Sequence, residues 1–555
     1  FFRILIQLRM KTKNILSLNS EEVMDFLMKS EQYHGFELPE YFVFDEILEY
    51  VRKTIGDKPY QECVQEGLTP DTLSDVNIDI LLNKDGRYAV RPLILCNPYI
   101  YYFFVRELCG GDNWRRVVDN FEKCTVPHIK SCAIPVVAEK KEKFHKSTTI
   151  LNWWNTMEQR AIELSLEYRY MFVSDITNCY GTVNPQAIDW ALSRKNTSIP
   201  TDENHDIATN IMRYLRDFQQ GRNVGIPQGS TLFDLTSEII LSYSDLLLSE
   251  SLKKEGIVEG YEILRYRDDY RLFCNDKDML EKISYVLQHV LESLNFRLNS
   301  QKTFISDSII SDSIKSDKLA YIYNTPIFNK KGCDFDGFQK HLLYILMFSR
   351  KYPNAGQVRT MLNDIDERII ERLKPQKKTV MTLEGDGKFE EKEIECPGRI
   401  YENIKAMSAI CTQIALENVS VAHYALRVIS RMTDSIKDAA YRNEIIEKVC
   451  NKLINQPNST YNKLWLQNMT YCQDVQKNAS PYDIKLCKVV MGEKVQLWNN
   501  TWLKEDCIKE FPQESVVNKD VLAKVTPIIT FRETRAYIET IDEDSEISDN
   551  VIGEY

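Results

Sequence analysis

At 555 residues the chain is too long for a single hydrophobic core and should divide into two to four domains. Its 43% hydrophobic and 27% charged content suits a globular protein, and a formal net charge of −11 excludes one that coats nucleic acid with its whole surface. Any nucleic-acid channel must be a local basic stripe.

Fourteen Cys occur with no CxxC pair and no His/Cys cluster at zinc spacing, which reads as buried thiols in a reducing cytoplasm. No apolar run reaches the roughly 20 residues that span a bilayer. The richest, Pro98 to Val105, is short and followed by Arg106 and Glu107, so no membrane partner is expected. Phe1 to Leu8 has no cleavage-site pattern and is not read as a signal peptide; Met10 is an alternative start.

Residues 1–80 read as an N-terminal helical extension, in which Asn19 and Glu22 cap a helix carrying Val23, Phe26 and Leu27. From Gly86, a predicted strand holds Arg87 and Arg91 four apart on one face. A guanidinium pair there would clamp a triphosphate; two solvated Arg are the plain alternative. Asn97-Pro98 opens an aromatic helix. Glu139 to Lys146 is basic-leaning, either a solvated face or the border of a template channel. Ile150, Trp153, Trp154, Met157, Ala161 and Leu164 then recur at helical spacing and read as core.

Three stretches carry the chemistry. Tyr170-Met-Phe-Val-Ser is a predicted buried strand that delivers Asp175 at its end. Tyr180 follows five positions later, where an aromatic ring under the sugar of an incoming nucleotide would clash with a 2′-hydroxyl and select dNTPs. A core aromatic is the alternative. Gly225-Ile-Pro-Gln228-Gly229-Ser230 is a turn before a helix; its amides near the helix N-terminus suit a phosphate or base, and Gln228 suits the templating pair. Glu262 to Cys274 reads as strand, tight turn and strand, with Tyr266-Arg267-Asp268-Asp269 at the tip.

Phosphodiester formation on two divalent ions about 3.5–4 Å apart needs carboxylates that reach both. Asp175 and Asp268 are the expected bridging ligands, Asp269 stands beside them, and Ile176 is counted with the metal ligands. The expected cofactor is a pair of Mg2+ ions, with Mn2+ as substitute. The step of 93 residues from Asp175 to Asp268 leaves room for helices between two strands of one sheet. Leu294 to Thr303 is read as a strand ending in Lys302, either a general acid for the leaving pyrophosphate or a surface Lys.

The series Asp175, Pro-Gln228-Gly229, Tyr266-x-Asp268-Asp269 and Asn299-x-x-Lys302 resembles reverse transcriptases. With the texture of Ser174 to Val183 and Leu151 to Glu158, it looks most like the bacterial defence-associated, abortive-infection-like group. That resemblance implies an α+β fold: fingers and palm over 81–330, with an antiparallel palm sheet and helices, followed by an all-α solenoid-like domain in place of a thumb. It also implies an RNA template, dNTP substrates and a DNA product. Some members of the group are oligomeric, work with a noncoding RNA, or prime DNA synthesis from a side chain. Arg267 departs from the family, which usually has a small or apolar residue there; its cation would touch the primer-end phosphate or alter which primer is accepted. Retron signatures and nuclease motifs are missing.

Residues 331–538 read as helical, with apolar stripes at Ile404, Met407, Cys411 and Ile414, at Val421, Ala425, Val428 and Met432, and at Ile446, Val449 and Leu453. No strict repeat period emerges. Residues 377–396 are a predicted hairpin insertion, either an oligomer contact or a surface ribbon. Residues 539–555 form a tail with seven acidic and no basic residues. The expected protein is an RNA-directed DNA polymerase that forms a homo-oligomer. The alternatives are a mobile-element reverse transcriptase, or an RNA-binding scaffold with a vestigial site.

Overall fold

Period-two alternation is densest in the middle of the chain, and there it builds one five-stranded sheet. The computed structural model describes residues 12–83, 90–138, 149, 152–201, 204–324, 337–353, 355–383, 389–401 and 403–530. Among them the strands are β1 (Thr12–Asn14), β2 (Ile78–Asn83), β3 (Val90–Leu95), β4 (Ile129–Ser131), β5 (Val136–Ala138), β6 (Tyr170–Asp175), β7 (Tyr261–Tyr266), β8 (Asp269–Cys274), β9 (Phe304–Ser306), β10 (Gln376–Leu383) and β11 (Phe389–Cys396).

The central sheet has the order β4-β7-β8-β6-β9. Strands β7, β8, β6 and β9 pair antiparallel, as an antiparallel palm requires, but β4 joins β7 in parallel. The sheet is therefore mixed. The long connection from β4 to β7 passes through several helices and allows the crossover that a parallel pair needs.

The two faces of this sheet are covered differently. Helices Thr231–Lys254 and Lys277–Ser293 pack on one face, which presents Arg265, Tyr270 and Leu272. The opposite face presents Met171, Leu264 and Phe273, which form a small separate core with Met157, Ala161 and Leu164. Those last three belong to the predicted helical stripe, realised as a π-helical turn Trp154–Gln159 running into helix Arg160–Leu164.

Before the sheet, the Asn19–Glu22 capping box forms as predicted and starts helix Ser20–Leu27. Asn97 caps helix Pro98–Cys109 through the amides of Tyr99 and Ile100. Ten of the twelve residues of that helix are buried, as expected of a helix apolar on every side. Its Tyr99, Tyr101 and Tyr102 hydroxyls donate to the carbonyls of Cys507, Leu27 and Gly56. No helix among the described residues is long and apolar enough to cross a membrane.

After the sheet, helices Phe338–Lys351, Gly356–Leu373, Ile404–Glu417, Ala422–Asp434, Ala439–Ile454 and Thr460–Lys477 stack so that each packs on the helix two places away and most pack on the next one as well. This is the solenoid-like C-terminal region, and β10 and β11 form an antiparallel hairpin between its second and third helices. The reading of 331–538 as helical needs correction for its described residues beyond Val490. Beyond Val490 the chain makes only short turns, because Leu497, Trp498, Trp502, Leu503 and Cys507 are buried at no helical period. This segment returns to the part of the chain before the central sheet. It bridges Val64 to Leu503 and Phe42 to Val517, and Asn97 donates to Asn500 at 2.7 Å.

Candidate active site

The metal-binding residues predicted from sequence meet at one end of the central sheet. Asp175 ends β6 and Asp269 begins β8, and the two are direct cross-strand partners. Asp268 lies in the two-residue turn between β7 and β8, and its carbonyl accepts from the Ile176 amide at 3.0 Å. The bond between Asn299 N and Asp175 O, 2.8 Å, fixes the other side of the strand end. All three carboxylates are thus carried by backbone that is itself hydrogen-bonded.

The turn is strained. Arg267, its first residue, has φ +55°, a left-handed conformation that non-glycine residues seldom adopt. Such strain persists where surroundings over-determine it. Here Arg267 Nη2 donates to Asp234 Oδ2 at 2.6 Å, and Asp234 sits in the first turn of helix Thr231–Lys254. The Arg267 cation, expected at the primer end, is instead turned toward the helix, because the half-buried Asp234 carboxylate is within its reach.

Asp234 also accepts the hydroxyl of Tyr180 at 2.7 Å, on Oδ1. The ring predicted to select the sugar is therefore tied to the metal turn through one carboxylate. Burial, then the Asp234 charge, pushes the Tyr180 phenol well above its ordinary value, so it stays a donor. A second clamp lies deeper. Arg265, wholly buried on β7, donates to both oxygens of Asp245 at 2.8–3.1 Å and to both of Glu238 at 3.0–3.1 Å. Charges this buried do more for register than for stability; they set β7, and so the turn, against the helix.

Lys302 does not end a strand as predicted. It lies in a turn held by Asn299, whose side chain accepts from Gln301 N and whose carbonyl accepts from Lys302 N, the chain-reversing habit of Asn. Its ammonium reaches back to Asp175 Oδ2 at 2.5 Å. Burial opposes that charge, but the Asp175 bond and the neighbouring Asp269 and Asp268 charges outweigh it and raise the Lys302 pKa.

The carboxylates crowd one another. Burial, with the Asp175 charge adding to it, raises the Asp268 pKa. Burial and then the Asp268 charge push Asp269 up to about 6. Asp269 is exposed at the rim, so repulsion between the carboxylates is the firmer part of that push. Asp175 Oδ1 is buried with no hydrogen-bond partner, and no protein donor among the described residues reaches the Ile176 carbonyl. An orphaned carboxylate oxygen, a free carbonyl and two repelling carboxylates are hard oxygen donors of the kind Mg2+ takes. As placed, no three His, Cys, Asp or Glu side chains among the described residues form a closed metal site.

The other predicted contacts are spread around this centre. Gln228 gives its carbonyl to Ile94 N of β3 at 3.0 Å, and Gly229 gives its carbonyl to Gly35 N at 2.7 Å. A Cβ on Gly229, which has φ +130°, would meet Ile94 O at 2.8 Å, so only glycine fits. The turn is thereby fastened to the strand that carries Arg91, which is exposed. Arg87, Glu139 to Lys146 and the acidic tail 539–555 lie outside the described residues. Asp234, Arg265, Glu238 and Asp245 were missed from sequence; a charged residue inside an otherwise apolar helix or strand was the available signal.

Residues 111–339 match the family described as "Reverse transcriptase (RNA-dependent DNA polymerase)". That stretch, less than half of the chain, therefore matches a reverse transcriptase domain. Among solved structures it is similar to apo telomerase from Candida tropicalis truncated from its C-terminal domain, at 14% identity over 48% of this chain and 56% of that one, TM-score 0.28. It is also similar to the Candida albicans telomerase in complex with a TWJ fragment of telomeric RNA, at 11% identity over 72% and 67%, TM-score 0.28, and to a second apo Candida tropicalis telomerase, at 12% identity over 79% and 71%, TM-score 0.28. A comparison with curated protein sequences finds no match.

Proposed function

We propose that this protein copies an RNA template into DNA at Asp175, Asp268 and Asp269, selecting dNTPs with Tyr180. The observation that carries the reading is the cross-strand pairing of Asp175 with Asp269 beside the Asp268 turn, with Asp175 Oδ1 left unpartnered. A pair of Mg2+ ions, or Mn2+ in their place, would be held by these carboxylates and the Ile176 carbonyl and would supply charge stabilisation to the attacking and leaving oxygens.

The chain's own groups do the rest. The Tyr180 ring, pinned by Asp234, lies under the sugar and excludes a 2′-hydroxyl. Lys302 leaves Asp175 when substrate enters and gives a proton to the departing pyrophosphate. Gln228 and Gly229 support the templating pair, and Arg91 with Arg87 holds the triphosphate. Arg267 acts through Asp234, as a strut for the turn.

The wider role we infer is synthesis of cDNA in bacterial antiphage defence, in the cytoplasm, by a homo-oligomer assembled through the C-terminal helices and working with a noncoding RNA. The motif texture around Asp175 and a helical stack following the palm support this. The deciding experiment is sequencing of the RNA and DNA that co-purify with the protein, alongside phage plating on cells that carry it. RNA and complementary DNA recovered together, with reduced plating, are expected. Purified protein that incorporates no dNTP on any RNA template would overturn the polymerase reading. Unchanged plating would overturn the defence role alone.

A further inference from the structure

Strand β8 leaves the turn with Asp269 and, two residues on, Arg271. Strand alternation puts both on one face, the face opposite helix Thr231–Lys254. Asp269 is matched there by Asp175 and Tyr266, and Arg271 by Val173 and Leu264. Arg271 is only 9% exposed. Among the described residues its guanidinium makes no hydrogen bond or ion pair, and its Nη1 is enclosed without a partner.

Its surroundings make this unusual. Arg265, on the other face, is saturated by two carboxylates. Arg194, also buried, donates to Asn120 and to the Pro200 carbonyl. Glu158 is the buried carboxylate on the neighbouring helix, but its Oε1 is taken by Lys318 at 2.8 Å. Further out, Lys315 Nζ lies 4.8 Å over the Trp153 ring, and that ring stands edge-on to Tyr266 at 6.4 Å. Behind Asp269 there are thus two cations and two aromatic rings, and no anion bonded to either cation among the described residues. An unpaired buried charge is costly to a folded protein, and a guanidinium fork matches phosphate oxygens.

We propose that Arg271, with Lys315 at the rim, receives a phosphodiester of the strand whose 3′-hydroxyl is extended. This rests on the polymerase reading above. In an in-line displacement the attacking hydroxyl and the leaving pyrophosphate lie on opposite sides of the transferred phosphorus. Tyr180 and Arg267 reach Asp234 on the helix-covered side, so the nucleotide belongs there. The strand that attacks then approaches across Asp269, from the Arg271 side.

The test pairs protein variants with neutral linkages in the substrate. Affinity of the full chain is measured for RNA templates carrying DNA primers, each with one methylphosphonate at one of the last few 3′ linkages. The wild-type protein is expected to lose about tenfold or more at one linkage, the scale of a charge-assisted hydrogen bond. Arg271→Met should start weaker by about that factor and lose little more at the same linkage. Arg271→Lys should recover part of the loss. Because Arg271→Met removes an unpaired buried charge, the free variant should melt no lower than wild type. Equal losses in both proteins at every linkage, or a lowered Tm with a uniform fall in affinity, would overturn the inference. Wild-type protein that extends the primers without such coupling overturns it alone; wild-type protein that neither binds nor extends them overturns the polymerase reading as well.

Discussion

Tyr180 and Arg267 share one carboxylate: the phenol donates to Asp234 Oδ1 at 2.7 Å and the guanidinium to Asp234 Oδ2 at 2.6 Å. The residue placed to read the sugar and the residue that shapes the metal turn cannot move independently. If Tyr180 reads the sugar as proposed, sugar choice and metal placement are mechanically linked.

Three variants separate the ring from its tether. Tyr180→Ala should raise use of rNTPs relative to dNTPs by about tenfold or more, because the clash itself disappears. Tyr180→Phe keeps the ring and loses one hydrogen bond, so a shift of about fivefold is expected, the equivalent of about 1 kcal/mol. Asp234→Asn should shift the ratio in the same direction and also lower kcat for dNTPs. Competition assays with mixed nucleotides read all three. A ratio unmoved by Tyr180→Ala in an active enzyme would remove Tyr180 from the gate.

Replacing Asp268 and Asp269 together by Asn should abolish dNTP incorporation, a fall on the order of a thousandfold or more. Folding should survive, since the change relieves repulsion between carboxylates. Primer extension with a circular dichroism melt distinguishes the outcomes. Incorporation that persists in a folded double variant would place the chemistry elsewhere.

Asp217 offers a pH test away from the chemistry. It is buried, its Oδ2 has no partner, and burial followed by the Asp71 charge pushes its carboxyl up to about 7. The unfolded chain releases this proton near pH 4. Between about pH 4 and 7 the folded state therefore binds the extra proton, and stability falls as pH rises through that window. Asp217→Asn should be more stable than wild type at pH 8 by on the order of 2 kcal/mol, with the gain fading toward pH 5. Urea titrations at pH 5, 6, 7 and 8 measure this; a gain that is the same at every pH would disprove the assignment.

A polymerase needs a hydroxyl to extend, and a Tyr phenol is one that the protein itself can offer. If synthesis starts on the protein, labelled product should enter a denaturing gel as free DNA only after protease treatment. Product that already migrates freely without protease would rule out covalent priming.

Asp175, Asp268 and Asp269 were legible because two of them end buried, apolar strands and the third lies in the tight turn that the motif itself marks. Asp234 was not. An acid in the first turn of a helix is ordinary complementation of the helix dipole, and its partners lie 54 and 33 residues away. Arg271 looked like any polar strand residue, since sequence cannot reveal a missing partner. Lys302 was found, but as the end of a strand. The local preference of Asn299 for a turn prevailed over the alternation of Phe296 and Leu298.

The segment beyond Val490 settles against strand β3 and helix Pro98–Cys109, through Trp498, Asn500 and Tyr99. During translation, that early layer therefore waits for the last part of the described chain to leave the ribosome before its apolar surface is covered. Nascent chains stalled short of residue 490 should be held by chaperones or degraded. Interrupted messages would then yield little active polymerase, because the early layer stays uncovered until the segment beyond Val490 has been made.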